Sequence, residues 1–175
     1  MAYVRQRPTQ AGAASTALVE SYRDATGRPR QRLLANLHGE PDTLHALAKL
    51  AALRDMLREE KETLAADAVH ANTFYETVTQ ETLHGHRYST SERKEIDELL
   101  WKREKLLRRI AKIERTLAAI EKDGAIIKQH CTAAPDEVQT AIQTFKRKHQ
   151  DAECLILGME FAHREAKAAF RRMST

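Results

Sequence analysis

Residues 96–120 read IDELLWKREKLLRRIAKIERTLAAI. Apolar side chains fall at Ile96, Leu99, Leu106, Ile110, Ile113, Leu117 and Ile120, with Arg103 as the one polar member of the series. The steps alternate between three and four residues, so the series forms one stripe along a helix. A strand could not gather it, because strand faces alternate every second residue. Upstream, Ser89 with Glu92 three residues later is a capping-box pattern. The helix is expected over about 90–123, with Gly124 as its stop.

The same pattern recurs on both sides. Leu47, Leu50, Leu57, Leu64, Ala68, Ala71, Tyr75 and Val78 mark a first helix over about 43–83, with Arg54 and Lys61 filling two stripe positions. Gly85 ends it. Pro135, followed by Asp136 and Glu137, opens a third helix over about 135–173. Its stripe is Val138, Ile142, Phe145, His149, Ala152, Ile156, Met159, His163, Ala166, Phe170 and Met173. Three sustained stripes with short connections predict a long antiparallel, coiled-coil-like bundle of three helices. Closing the core within one chain and closing it by dimerisation both stay open.

Residues 1–41 differ. Ala2–Arg7 alternates, a loose loop with Gly12 follows, and Thr16–Arg23 alternates again. Asp24-Ala-Thr-Gly27 has turn chemistry, Gly27 being able to take positive φ. Arg30–His38 completes a three-stranded antiparallel meander, although RQRLLANLH also contains helix formers. The expected fold is therefore mainly α with a small N-terminal antiparallel β-meander: a β module at 1–41 and a helical bundle at 42–175.

Composition agrees. Charged residues are 31% of the 175, hydrophobic ones 42% and aromatic ones 5%, with six Gly and four Pro. So few turn formers argue against a sandwich or barrel, and so many aliphatic residues argue against a disordered chain. The formal charge is +4, and its distribution says more. Residues 1–41 hold six arginines against three acids, and residues 85–122 hold eleven bases against seven acids. Residues 42–84 are acidic, with four bases and eight acids. No apolar core follows Arg5 and Arg7, so no signal peptide is expected. No run approaches the ~18 apolar residues of a membrane span. A cytoplasmic protein is expected.

Catalytic patterns are missing. Cys131 and Cys154 are unpaired in spacing, and His130 beside Cys131 lacks an orienting third group. His84 and His86 flank Gly85 as a polar turn, and His149 and His163 read as partly buried stripe residues. No Gly-rich phosphate loop occurs. The expectation is a protein that is not an enzyme, with no metal site, no cofactor and no small-molecule substrate.

Two basic surfaces remain. With Ile96 at heptad position a, the outermost positions of the second helix carry Lys94, Trp101, Arg108, Arg115 and Lys122, flanked by Lys102, Lys105, Arg109 and Lys112. Such a row can neutralise phosphates along DNA. On the meander, alternation puts Tyr3, Arg5 and Arg7 on one face of the first strand. It puts Leu18, Glu20 and Tyr22 together on the second, and Arg30, Arg32, Leu34 and Asn36 on the third. A single polar face gathering four arginines, Tyr3, Tyr22 and Asn36 would suit base-edge readout. Val4, Ala17, Val19, Leu33, Ala35 and Leu37 would pack against a helix. The expected DNA contacts are Tyr3, Arg5, Arg7, Tyr22, Arg30, Arg32, Asn36, Lys94, Trp101, Lys105, Arg108, Lys112 and Arg115.

The strings Ala2-Tyr-Val-Arg5, LVESYRD at 18–24 and GRPRQRLLANL at 27–37 carry a family resemblance. Over residues 2–50 the chain resembles the N-terminal segment of bacterial insertion-sequence transposases of the DDE class. In those proteins the segment precedes the catalytic domain, which has no counterpart in this sequence. The resemblance implies a bacterial mobile-element origin and an N-terminal module for DNA engagement or complex assembly. It transfers no catalytic residue. Two functions follow as expectations: a non-catalytic DNA-binding or accessory protein, or a coiled-coil interaction scaffold that forms a homo-oligomer through its stripes.

Overall fold

The computed structural model describes residues 2–8 and 14–149, the side chains of Arg7, Pro8 and Ala14 excepted. Gly12, Cys154, His163 and the third stripe from Ala152 to Met173 lie outside the described residues. The element order is β1 (Ala2–Pro8), β2 (Ala14–Arg23), β3 (Pro29–Asn36), α1 (Thr43–Leu83), α2 (Thr90–His130) and α3 (Pro135–Lys148). The strands form one antiparallel sheet in the order β1-β2-β3. The chain is mainly α with a small N-terminal β-meander, and the helical alternative for Arg30–His38 is set aside.

Local chemistry fixes the element ends. Asp24 Oδ1 accepts from the Thr26 and Arg28 amides at 2.9 and 3.0 Å, and Gly27 takes φ +77°. Asp42 Oδ1 accepts from the His45 amide at 2.9 Å and caps α1. Gly85, at φ +84°, ends that helix. The Ser89 amide donates to Glu92 Oε2 at 2.7 Å, closing one half of the capping box. Glu137 Oε2 accepts from the Ala134 amide at 3.0 Å at the start of α3.

Gly124 does not stop α2, which runs on to His130. A Cβ built on Gly124 would sit 4.0 Å from Leu50 Cδ1, so this glycine faces α1 with room for a side chain. Its propensity cost of about 1 kcal/mol is outweighed by the helix around it. His149 is exposed rather than partly buried, with its ring 4.5 Å from that of Phe145.

Packing divides the chain into two compact units: Met1–Met56 with Leu117–Thr175, and Leu57–Thr116. The first holds the sheet, the start of α1 and the end of α2. Its core includes Ala17, Leu18, Val19, Ala35, Leu37, Ala46, Ala48, Leu50, Ala52, Leu53, Ile120 and Ile127, all buried. Here α1 buries far more than one stripe, and its alanines allow close backbone approach. The junction after β3 is held by polar contacts. Buried His38 sits at φ +53°. Its amide donates to Asn36 Oδ1 at 2.7 Å, its Nε2 lies 2.9 Å from Asp123 Oδ2, and its carbonyl accepts from Lys49 Nζ at 2.7 Å. These contacts oppose the steric cost of a left-handed histidine.

The second unit is an antiparallel helix pair. Glu60 pairs with Arg109 at 2.7 Å, and Lys61 with Glu114 at 2.8 Å. Arg103, the polar stripe member, donates to Asn72 Oδ1 at 2.7 Å and lies 4.4 Å above the Tyr75 ring. A basic residue in the stripe is thus accommodated by a neutral acceptor and an aromatic face.

Leu53 is fully buried in the first unit. Leu53→Ala should cost about 2–5 kcal/mol, measured as a lowered urea midpoint with an unchanged slope.

Candidate nucleic-acid interface

Alternation fixes which residues share a face within one strand. Register decides which faces of neighbouring strands coincide. Tyr3 pairs with Val19 and Arg5 with Ala17. Val19 pairs with Leu33 and Ser21 with Gln31. Tyr3 and Arg5 therefore share a face with Val19, Ser21, Gln31 and Leu33. Glu20 pairs with Arg32 and Tyr22 with Arg30, so Tyr22, Arg30 and Arg32 lie on the opposite face. The expected single polar face is two faces.

The bulge in β3 adds a second correction. Leu18 pairs with Ala35 while Val19 pairs with Leu33, leaving Leu34 as an extra residue. Such a bulge exchanges the faces of everything beyond it. Leu33 is consequently 42% exposed rather than packed inward, and Asn36 is only 4% exposed. Asn36 cannot read a base edge, because it is buried and its Oδ1 holds the His38 amide. Its Nδ2 has no partner among the described residues.

The remaining sheet residues reach solvent. Gln31 Nε2 donates to Tyr3 Oη at 2.6 Å, and Arg5 donates to Gln31 Oε1. These bonds tie three polar side chains together across β2, a link that the strand pattern did not suggest. On the other face Arg30 pairs with Asp24 at 3.0 Å and Arg32 with Glu20 at 2.7 Å. Tyr22 is exposed beside them. Both arginine side chains stay more than half exposed, and such surface pairs contribute about 0–1 kcal/mol. A phosphate can replace either carboxylate at small cost. Arg7's side chain is outside the described residues.

The end of the β2–β3 hairpin is distinctive. The pairing of β1 with β2 stops at Ala2 and Glu20. Beyond it the hairpin is a two-stranded ribbon, and residues 21–33 are all exposed except Asp24. Arg23, which donates to the Gly27 carbonyl at 2.8 Å, and exposed Arg28 flank the turn. Neither was among the expected contacts, although the Asp24–Gly27 turn signal places both at the tip. Asp24 organises this turn. Its pKa is lowered to about 2, first by the Thr26 hydroxyl, which donates to it at 2.6 Å, and then by Arg30.

In the second unit, Lys94, Trp101, Lys105, Arg108 and Arg115 are exposed on α2, and Lys112 is half-buried. Arg108 pairs with Glu104 at 2.6 Å, and Lys102 with Glu98 at 2.7 Å. Arg115 donates to the Ala111 carbonyl, and Lys105 Nζ lies 5.3 Å from the Trp101 ring centroid. The row faces outward except at half-buried Lys112, and part of its charge is engaged in exposed i,i+4 pairs.

Residues 4–68 match the family model of the IS1634 family transposase N-terminal domain. The match bears out the resemblance to insertion-sequence transposases and carries it from the sheet into α1. No curated protein and no solved structure matches the chain. Among the described residues, no cluster of His, Cys, Asp and Glu is arranged to hold a metal ion. No described helix is long and apolar enough to cross a membrane.

The depressed Asp24 pKa has a definite sign. The turn's carboxylate contacts persist above the usual value of 3.8 and are lost as pH falls through about 2. The Thr26 and Arg28 amide resonances should therefore titrate with a midpoint near 2; a midpoint near 3.8 would show that Asp24 is not organising the turn.

Proposed function

We propose that this chain is a DNA-binding module of a bacterial mobile element, working in the cytoplasm and contributing no catalysis of its own. The observation that carries this reading is the exposed β2–β3 ribbon, which presents Tyr22, Arg30 and Arg32 on one face and Arg23 and Arg28 at its tip. It lies within the stretch that resembles a transposase N-terminal domain. A two-stranded ribbon fits a major groove. In this reading Arg30 and Arg32 exchange their carboxylates for phosphates, and the row from Lys94 to Arg115 adds sequence-independent affinity. Tyr3 and Arg5 serve the other sheet face, joined through Gln31.

Binding to an arbitrary duplex should weaken steeply with salt. Each phosphate contact contributes about −0.9 to the slope of log affinity against log salt. Replacing both Arg30 and Arg32 by Ala should reduce that slope by about two while leaving the melting temperature unchanged. No binding at low salt, or a slope near zero, would overturn the reading; an unfolded double variant would make these arginines structural.

One observation favours self-association as a second activity. In Leu57–Thr116 the buried residues among those described are Leu57, Ala68, Ile113 and Thr116, whereas Val69, Tyr75, Leu83 and Leu99 are exposed. A second copy laid along these helices would cover them. Sedimentation velocity should then show a mass that doubles with concentration, and Leu99→Glu should return it to the monomer value. A constant monomer mass would remove this activity.

A further inference from the structure

Trp101 is 60% exposed on α2, in the middle of a basic row. Indole is the largest aromatic side chain, and one left in water on a charged face is unusual for a surface that serves solubility alone. Lys105 Nζ lies 5.3 Å from the ring centroid, so a cation already sits against the aromatic surface. Lys94 and Arg108 are one heptad before and after Trp101, about 10 Å away along the same face. Arg115 is a further heptad on. Residues 94–115 contain eight bases and five acids. Glu98 and Glu104, the acids one turn from Trp101 on either side, are held by Lys102 and Arg108. Asp97 is the remaining acid within a turn.

This arrangement distinguishes two forms of nucleic acid. A duplex offers phosphates to the cations, but its base faces are already stacked on their neighbours. A single strand offers phosphates and a free base face together. Aromatic platforms within a basic groove bind single strands in this way without reading sequence.

We propose that Trp101 is a stacking platform for an unpaired base, so that the α2 row binds single-stranded DNA or an unpaired DNA end in preference to duplex. The proposal rests on the DNA reading above and adds the form of DNA that this row takes. Lys105 holds the phosphate next to the stacked base, and Lys94, Arg108 and Arg115 follow the strand on either side.

Trp101 is the chain's one tryptophan, so its fluorescence, excited at the red edge where tyrosine does not absorb, reports this position directly. The full chain is titrated with oligothymidylate and with a blunt duplex of equal length, at equal salt, following both fluorescence and anisotropy of a labelled strand. Oligothymidylate should quench the emission strongly and the duplex hardly at all. Trp101→Leu should lower single-strand affinity about tenfold or more and change duplex affinity less than about twofold, while Trp101→Phe keeps most of the preference. Equal quenching by both DNAs, or an unchanged affinity ratio in Trp101→Leu, would overturn the proposal and leave the duplex-binding ribbon standing. Binding of neither DNA would overturn both readings.

Discussion

One extra residue in β3 sets the character of the N-terminal sheet. Leu34 has no partner opposite it, so the strand changes face between Leu33 and Ala35. On one side of this bulge Thr16, Ala17 and Leu18 are buried in succession, which means that both faces of the sheet are covered there. On the other side, past Val19 and Glu20, β2 and β3 continue as a ribbon exposed on both faces. Anchor and reach are thus parts of the same two strands. The anchor is completed at the junction into α1, where Asn36, Lys49 and Asp123 all hold His38.

The exposed end combines order with weakly committed charge. Asp24 binds two backbone amides and a hydroxyl, so the turn keeps its shape with little help from packing. Arg30 and Arg32 are oriented by carboxylates, yet ion pairs in water hold them with little free energy. An oriented but lightly held guanidinium suits exchange onto a polyanion. A fully buried pair would not, since breaking it leaves an uncompensated charge. The same logic applies to Arg108 and Glu104 on α2.

Much of this organisation was legible in the amino acids. The stripe from Ile96 to Ile120, the Ser89–Glu92 box, the Asp24–Gly27 turn and the start at Pro135 each encode a local structure through short-range chemistry. What escaped was set between elements. Alternation in LVESYR and RQRLLANL gives the parity of each strand, but the phase between strands depends on turn length and on the bulge at Leu34. Alternation alone therefore places Tyr3 and Arg30 on one face, whereas they occupy two. Asn36, polar and strand-borne, carried no sign that it would be buried as an acceptor for His38. Gly124 has the signature of a helix end, yet α2 runs through it to His130.

On the function proposed above, DNA meets the free end of the β2–β3 ribbon and the outward row of α2, while the sheet's anchored end stays untouched. Amide NMR spectra of the labelled chain, recorded as a DNA duplex with a single-stranded tail is added, would map these contacts residue by residue. The largest shifts should fall on Tyr22–Arg32 and on the neighbours of Trp101, with Thr16–Val19 and Ala35–His38 unmoved. Shifts concentrated on α3, or no shifts at all, would contradict it.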